Sequence, residues 1–148
     1  MIHLRIPSVP PSLNSAYTTI LKGRRPLRIL TKDARRYKEE TKAHLLQEYP
    51  AELTKFVKDR AYLLVARFQL RVQNKGWPGK AKSRYKKLDA SNRLKLLEDV
   101  LAEVTDTDDS QNLVTIIQKI DSDVERTELW IWDMASEPTP FTNALFDL

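Results

Sequence analysis

A leucine-rich stripe between two strand-like runs most limits how this chain can fold. Residues 90–104 place apolar side chains three and four positions apart, as one face of a helix requires: Leu94, Leu97, Leu101 and Val104. Residues 61–72 before the stripe and 113–120 after it are rich in aliphatic residues and have the length of strands. The pattern therefore predicts a helix between two strands.

The N-terminal part of the chain predicts a strand, a loop, a hairpin and a second helix. Residues 2–6 alternate like a short strand, and residues 8–14 contain two prolines and favour an extended loop. Residues 17–30 indicate a hairpin that turns at Gly23 and Arg24. Thr31 is typical of a helix N-cap, and the helix is expected to end near Glu48, just before a proline.

The chain length of 148 residues predicts one domain. We assign residues 1–133 to it, with a final strand at 128–132 that is antiparallel to the strand at 113–120. Residues 134–148 contain two prolines and are expected to form a tail. Three apolar side chains could dock this tail on a neighbour: Phe141, Leu145 and Phe146.

Composition excludes several classes of function. The three glycines fit neither a P-loop nor a dinucleotide-binding motif, and the absence of cysteine excludes disulfides, thiol nucleophiles and cysteine zinc sites. His3 and His44 have no metal-ligand spacing, so both are expected to be structural. The N-terminus lacks the apolar core of a signal peptide, and no apolar run is long enough to span a bilayer. A cytoplasmic protein without membrane contact is expected.

Two stretches of the chain are basic and free of acidic residues. Residues 67–87 contain eight lysines and arginines, with Trp77 and Tyr85 among them, and residues 73–87 of this stretch predict a mobile loop. The second stretch lies near the N-terminus: Lys22, Arg24, Arg25 and Arg28. Either stretch alone could be a solvated surface. Together, in a chain of net charge +5, they favour contact with phosphate.

Carboxylates and a lysine cluster just after this basic loop. At about 100° per residue, Asn92, Lys95 and Asp99 share the helix face opposite the leucine stripe. Asp89 lies at the helix N-terminus, and residues 108–109, both aspartate, come close to it if the next strand packs beside the helix start. Converging carboxylates next to DNA can hold Mg²⁺ or Mn²⁺, and a nearby lysine can orient water or neutralise the phosphate.

Simpler interpretations of these residues remain open on pattern alone. Asp89 could be only an N-cap, and Lys95 could be only a solvated side chain. Residues 106–109 could form an acidic turn, while Glu98 and Asp99 belong to a polar helix face.

The order of three motifs resembles the RusA family of Holliday-junction resolvases, which are bacterial and prophage-encoded endodeoxyribonucleases. Residues 10–17 are similar to the family's opening Pro-Pro-x-x-Asn-x-x-Tyr, and residues 30–37 to the segment that enters its first helix. Residues 89–95 resemble its Asp-x-Asp-Asn-x-x-Lys, and residues 108–111 its Asp-Asp-x-Gln. The resemblance covers most of residues 3–133.

The resemblance implies a homodimeric α/β (α+β) protein with a mixed β-sheet and two main helices, which resolves four-way DNA junctions in recombination and repair. It implies catalytic roles for Asp89, Lys95 and Asp109, with Asp89 and Asp109 as ligands of Mg²⁺ or Mn²⁺ and Asn92 as an orienting residue. Branched DNA would be the partner, and its expected contacts are Asn14, Arg24, Arg25, Lys80, Lys82, Arg84, Lys86 and Lys87.

The sequence departs from the family pattern at Ser91, where the family has a second acidic residue. A neutral hydroxyl removes one negative charge from a metal site. Either Ser91 holds the metal through a water, or Asp108 or Asp99 supplies the missing carboxylate. The third alternative is a protein that binds branched DNA without full nuclease activity.

Overall fold

This computed structural model describes residues 1–136 of the chain, which form six strands and four α-helices. In chain order they are β1 (Ile2–Ile6), α1 (Leu13–Ala16), β2 (Tyr17–Lys22), β3 (Arg25–Leu30), α2 (Lys32–Glu48), α3 (Pro50–Leu53), β4 (Tyr62–Leu70), α4 (Ala90–Thr105), β5 (Asn112–Asp121) and β6 (Arg126–Asp133). The predicted α+β domain with two main helices, α2 and α4, is confirmed. The tail expected at 134–148 lies almost wholly outside the described residues.

Four strands form a mixed sheet in the order β1-β6-β4-β5. β4 is parallel to β5 and antiparallel to β6, which also pairs antiparallel with β1. The strands predicted at 113–120 and 128–132 do run in opposite directions, as expected, but they are not neighbours. β4 lies between them because its alternate residues are the most deeply buried in the sheet, and a central strand is shielded on both edges.

α4 connects the parallel strands β4 and β5, because a parallel pair requires a crossover rather than a tight turn. Its predicted apolar stripe is confirmed: Leu94, Leu97 and Leu101 are buried against the sheet, and Val104 packs partly buried beside them. The sheet contributes the other half of this core, including Leu4, Leu64, Ala66, Phe68, Leu129 and Ile131. Truncating a core leucine such as Leu97 to alanine would cost about 2–5 kcal/mol of stability.

A second, smaller cluster joins α4 to the N-terminal segments. Leu96 lies on the side of α4 away from the stripe and packs with Ala16, Ala34 and Tyr37. Thr31 caps α2 as predicted, since its hydroxyl oxygen accepts a hydrogen bond from the Ala34 amide at 3.3 Å. The cluster brings α1 and the β2–β3 hairpin to the polar side of α4.

Local signals predicted most of the remaining elements. The β2–β3 hairpin turns at Gly23, whose φ of +65° is in the left-handed region that favours glycine. The sequence pattern did not predict α1 and α3, which are only four residues long. Pro50 does end α2 as predicted, but it also begins α3, because proline fits the first turn of a helix.

Candidate active site

Asp89 begins α4 and is bound on both carboxylate oxygens by the first turn of that helix. Its Oδ1 accepts hydrogen bonds from Ser91 Oγ at 2.6 Å and from the Asn92 amide at 3.2 Å, and its Oδ2 accepts one from Asn92 Nδ2 at 2.7 Å. The Ser91 hydroxyl, followed by the Asn92 amide, lowers the pKa of Asp89 below its ordinary value. Asp89 is therefore the N-cap of α4, which was one of the alternatives. Its carboxylate is also ionised and exposed.

Lys95 lies one helical turn beyond Asn92 and connects two carboxylates. Its ammonium pairs with Asp109 and lies 3.6 Å from Asp99 Oδ1. The predicted common face of Lys95 and Asp99 is thus confirmed by a direct contact. All three side chains are partly exposed, so the ammonium remains accessible from solvent.

A short 3-10 turn, Asp109–Gln111, positions the acidic pair before β5. Asp108 caps this turn by accepting a hydrogen bond from the Ser110 amide at 2.9 Å. Hydrogen bonds from Ser110 lower the pKa of Asp108. Gln111 donates its side-chain amide to the carbonyls of Val57 and Arg60 at 3.0 and 2.9 Å. These bonds attach the turn that contains Asp109 to the segment before β4.

Glu98, which the sequence pattern assigned only to a polar helix face, lies beside the acidic pair. It is half-buried, accepts a hydrogen bond from Asn112 Nδ2 at 3.0 Å, and has a pKa raised by burial. With Asp108, Asp109 and Asn112 it lines a narrow cavity of about 20 Å³, enough for one water. Only its position in the leucine-rich helix, on the side facing residues 108–112, could have drawn attention to it.

The two predicted metal ligands each contact a residue of α4. Asp89 contacts Asn92, and Asp109 contacts Lys95. Lys95 is three residues beyond Asn92, which is about 4.5 Å along the helix axis. Within residues 1–136, no group of three Asp, Glu or His side chains could enclose a metal ion. Mg²⁺ commonly keeps several waters and uses one or two carboxylates. The exposed oxygen donors fit such a hydrated ion but not a closed cage.

The possible substitutes for the missing acid have distinct surroundings. Ser91 Oγ donates to Asp89 rather than standing apart as a separate oxygen. The Asp108 carboxylate accepts a hydrogen bond within the 3-10 turn that it caps, and Asp99 lies beside Lys95. Asp99 therefore shares a cation with Asp109, which the helix pattern alone did not reveal.

The predicted DNA contacts are exposed side chains on several elements. Asn14 is exposed in α1, and Arg24 and Arg25 are exposed at the tip of the β2–β3 hairpin. The loop at 73–87 exposes the five other basic residues: Lys80, Lys82, Arg84, Lys86 and Lys87. Arg93 of α4 donates to the Pro10 carbonyl at 2.7 Å, which holds the N-terminal loop against the helix that carries the site.

Comparison with known protein families shows the family to which this chain belongs. In the part that the structure describes, no helix is both long and apolar enough to cross a membrane. A comparison with curated proteins gives no match. Residues 7–131 match the family described as endodeoxyribonuclease RusA, a span that contains every site residue discussed above. The chain therefore belongs to the RusA family of endodeoxyribonucleases.

Proposed function

We propose that the protein cuts four-way DNA junctions by hydrolysing phosphodiester bonds with the help of Mg²⁺ or Mn²⁺, in recombination and repair. The proposal rests on family membership and on one observation in particular. Lys95 of α4 pairs with Asp109 from the segment before β5, within one helical turn of the Asp89–Asn92 pair. Carboxylates that could bind a metal ion thus lie near an ammonium group that could bind a phosphate.

Each residue has a proposed role in this reaction. Asp89 and Asp109 would hold the divalent ion, with Asp108 and Ser91 as further candidate ligands. The bound ion would supply Lewis acidity and a more acidic water. Asn92 orients Asp89 through its side-chain amide. Lys95 would leave Asp109 for the phosphate and offset the negative charge that builds there as water adds to phosphorus and the P–O bond breaks.

Resolution of a four-way junction requires two cuts, one in each of two strands. We therefore propose a twofold homodimer that presents two copies of the site, and a cytoplasmic location where the DNA is accessible. The positive basic segments would contact the DNA backbone. Affinity should then fall steeply with salt, because bound phosphates release counterions.

A synthetic four-way junction tests the proposal directly. We expect paired, symmetric nicks in Mg²⁺ or Mn²⁺ and none in EDTA. The proposed nuclease activity is wrong if neither metal supports nicking while the junction still binds.

A second candidate function is branched-DNA binding without full nuclease activity. Two observations favour it: Ser91 stands at the acidic position and is turned to Asp89, and residues 1–136 contain no three-carboxylate cage. This alternative predicts that junction binding persists in EDTA and that Asp89→Asn alters neither metal affinity nor cleavage.

A further inference from the structure

The base of the basic loop (residues 73–87) contains an open cavity of about 460 Å³. We call it the loop-base pocket, and its lining is polar and basic: Arg71, Gln73, Asn74, Lys75 and Lys86. It is separate from the carboxylate–lysine site, with which it shares no residue. Among residues 1–136, no carboxylate lines it.

Hydrogen bonds hold the walls of the loop-base pocket in place. The Asn74 amide donates to the Arg84 carbonyl and the Lys86 amide to the Val72 carbonyl, both at 2.8 Å. Asn74 Nδ2 also donates to the Ser83 carbonyl at 2.8 Å. The loop is therefore closed at its base by paired backbone, and the lysines at this end project from a fixed frame.

The three cations of the pocket are not equivalent. Arg71 is held by Asp121 and Asp123, so much of its charge is already neutralised. Lys75 and Lys86 are exposed and form no ion pair or side-chain hydrogen bond within residues 1–136. Two unpaired ammonium groups beside a concave polar surface favour an anionic ligand.

The pocket is close to the candidate active site along the chain. Lys86 and Asp89 are three positions apart in the chain, so their Cα atoms are at most about 11 Å apart. Lys119 of β5 donates to the Leu88 carbonyl at 3.0 Å and fixes this connection. Successive phosphates of one DNA strand advance by about 3.4 Å along the helix axis. A strand that reaches Asp89 can therefore place a phosphate a few nucleotides away at the pocket.

We propose that the loop-base pocket is a subsite for a backbone phosphate of the DNA strand that is cut, with Lys75 and Lys86 as its contacting cations. The inference rests on the proposed function, since it takes the α4 site as the place of cleavage. In this proposal the main phosphate contact of the loop is at its base and not at its tip, where Lys80 and Lys82 are.

Two double variants that remove equal charge test this location. Lys75→Ala/Lys86→Ala should weaken binding of a synthetic four-way junction about 10-fold and, since one phosphate contact is lost, make the slope of log K against log salt shallower by about 0.9. Lys80→Ala/Lys82→Ala should cause a clearly smaller loss. An equal or larger loss from the tip variant would overturn the proposal.

A methylphosphonate scan identifies the phosphate itself. Neutralising one phosphate at a time along the cut strand should weaken wild-type binding most at one position, a few nucleotides from the cut. The Lys75→Ala/Lys86→Ala variant should no longer respond there, while it responds as wild type elsewhere. An unchanged profile in this variant would contradict the subsite.

Binding measured in EDTA separates the two proposals. If the wild type never nicks a junction but the base variant still loses affinity and its methylphosphonate response, the nuclease proposal fails and the subsite stands. If nicking occurs and the base and tip variants behave alike, the nuclease proposal stands and the subsite proposal fails. Thermal unfolding of both variants should match wild type, since these lysines are exposed.

Discussion

Lys95 and Asp109 are fourteen residues apart in the chain and form an ion pair across the junction between α4 and the turn that precedes β5. Lys95 lies opposite the apolar stripe of its helix, and Asp109 lies in a turn that Gln111 attaches to Val57 and Arg60 by hydrogen bonds. The pair therefore depends on the packing of three separate segments. It gives the site both its cation and one of its anions.

Asp109→Asn should reduce the rate of junction cleavage by about 100-fold or more, because it removes a proposed anionic metal ligand. Junction affinity should stay the same or improve, since a charge that repels phosphate is lost. Single-turnover cleavage and binding in EDTA measure the two effects. Asp106→Asn is the matched control, as Asp106 is exposed, pairs with Lys58, and has the left-handed φ of 53° that asparagine tolerates. Equal losses of rate in both variants would argue against a special role for Asp109.

Lys95→Ala should lower the cleavage rate by about 100-fold while changing junction affinity by less than about threefold. The reason is that Lys95 would offset charge that develops only during the reaction. Lys58→Ala removes an exposed ion-paired lysine outside the proposed machinery and serves as the comparison. A loss of affinity as large as the loss of rate would make Lys95 a binding residue instead.

Ser91→Asp should tighten Mn²⁺ binding by about 10-fold, because it restores a carboxylate two residues from Asp89. Isothermal titration without DNA measures this affinity independently of cleavage. Ser91→Asn introduces a side chain of nearly the same size as in Ser91→Asp but without the charge, and it should not tighten Mn²⁺ binding. Indistinguishable Mn²⁺ affinities in the two variants would mean that position 91 does not face the ion.

Glu103→Gln should destabilise the fold at pH 7 by about 1 kcal/mol or less, because Glu103 pairs with Lys38 and Lys42 across α2 and α4 but is partly exposed. Hydrogen bonds from Lys38 and then Lys42 lower the pKa of Glu103 below its ordinary value of 4.5. Its stabilisation is therefore present above that value and is lost as the pH falls through the lowered pKa.

Urea unfolding at pH 7 and near pH 3 checks the Glu103 prediction. The difference from wild type should shrink at the lower pH. Glu40→Gln is the control, since Glu40 forms an exposed pair with Arg36 at 3.9 Å. A Glu103→Gln effect that is independent of pH would show that packing rather than charge is responsible.

Local patterns were sufficient for several elements and for some of the site. The period of Leu94, Leu97 and Leu101 predicted α4, and the capping residues Thr31 and Asp89 predicted where α2 and α4 begin. The same period placed Lys95 and Asp99 on one face. Such signals act within one or two turns of the chain, so neighbouring residues alone carry them.

Tertiary structure alone decided the remaining relationships. β4 separates β5 from β6 because the most apolar strand is best buried at the centre, which no residue of β5 or β6 encodes locally. The hydrogen bond from Asn112 to Glu98 and the hydrogen bond from Gln111 to the Val57 carbonyl likewise depend on the packing of distant segments. The sequence by itself thus determined the family, the helices and the residues available for chemistry. Packing between distant segments determined which of those residues meet, because the burial that selects one arrangement is summed over the whole core.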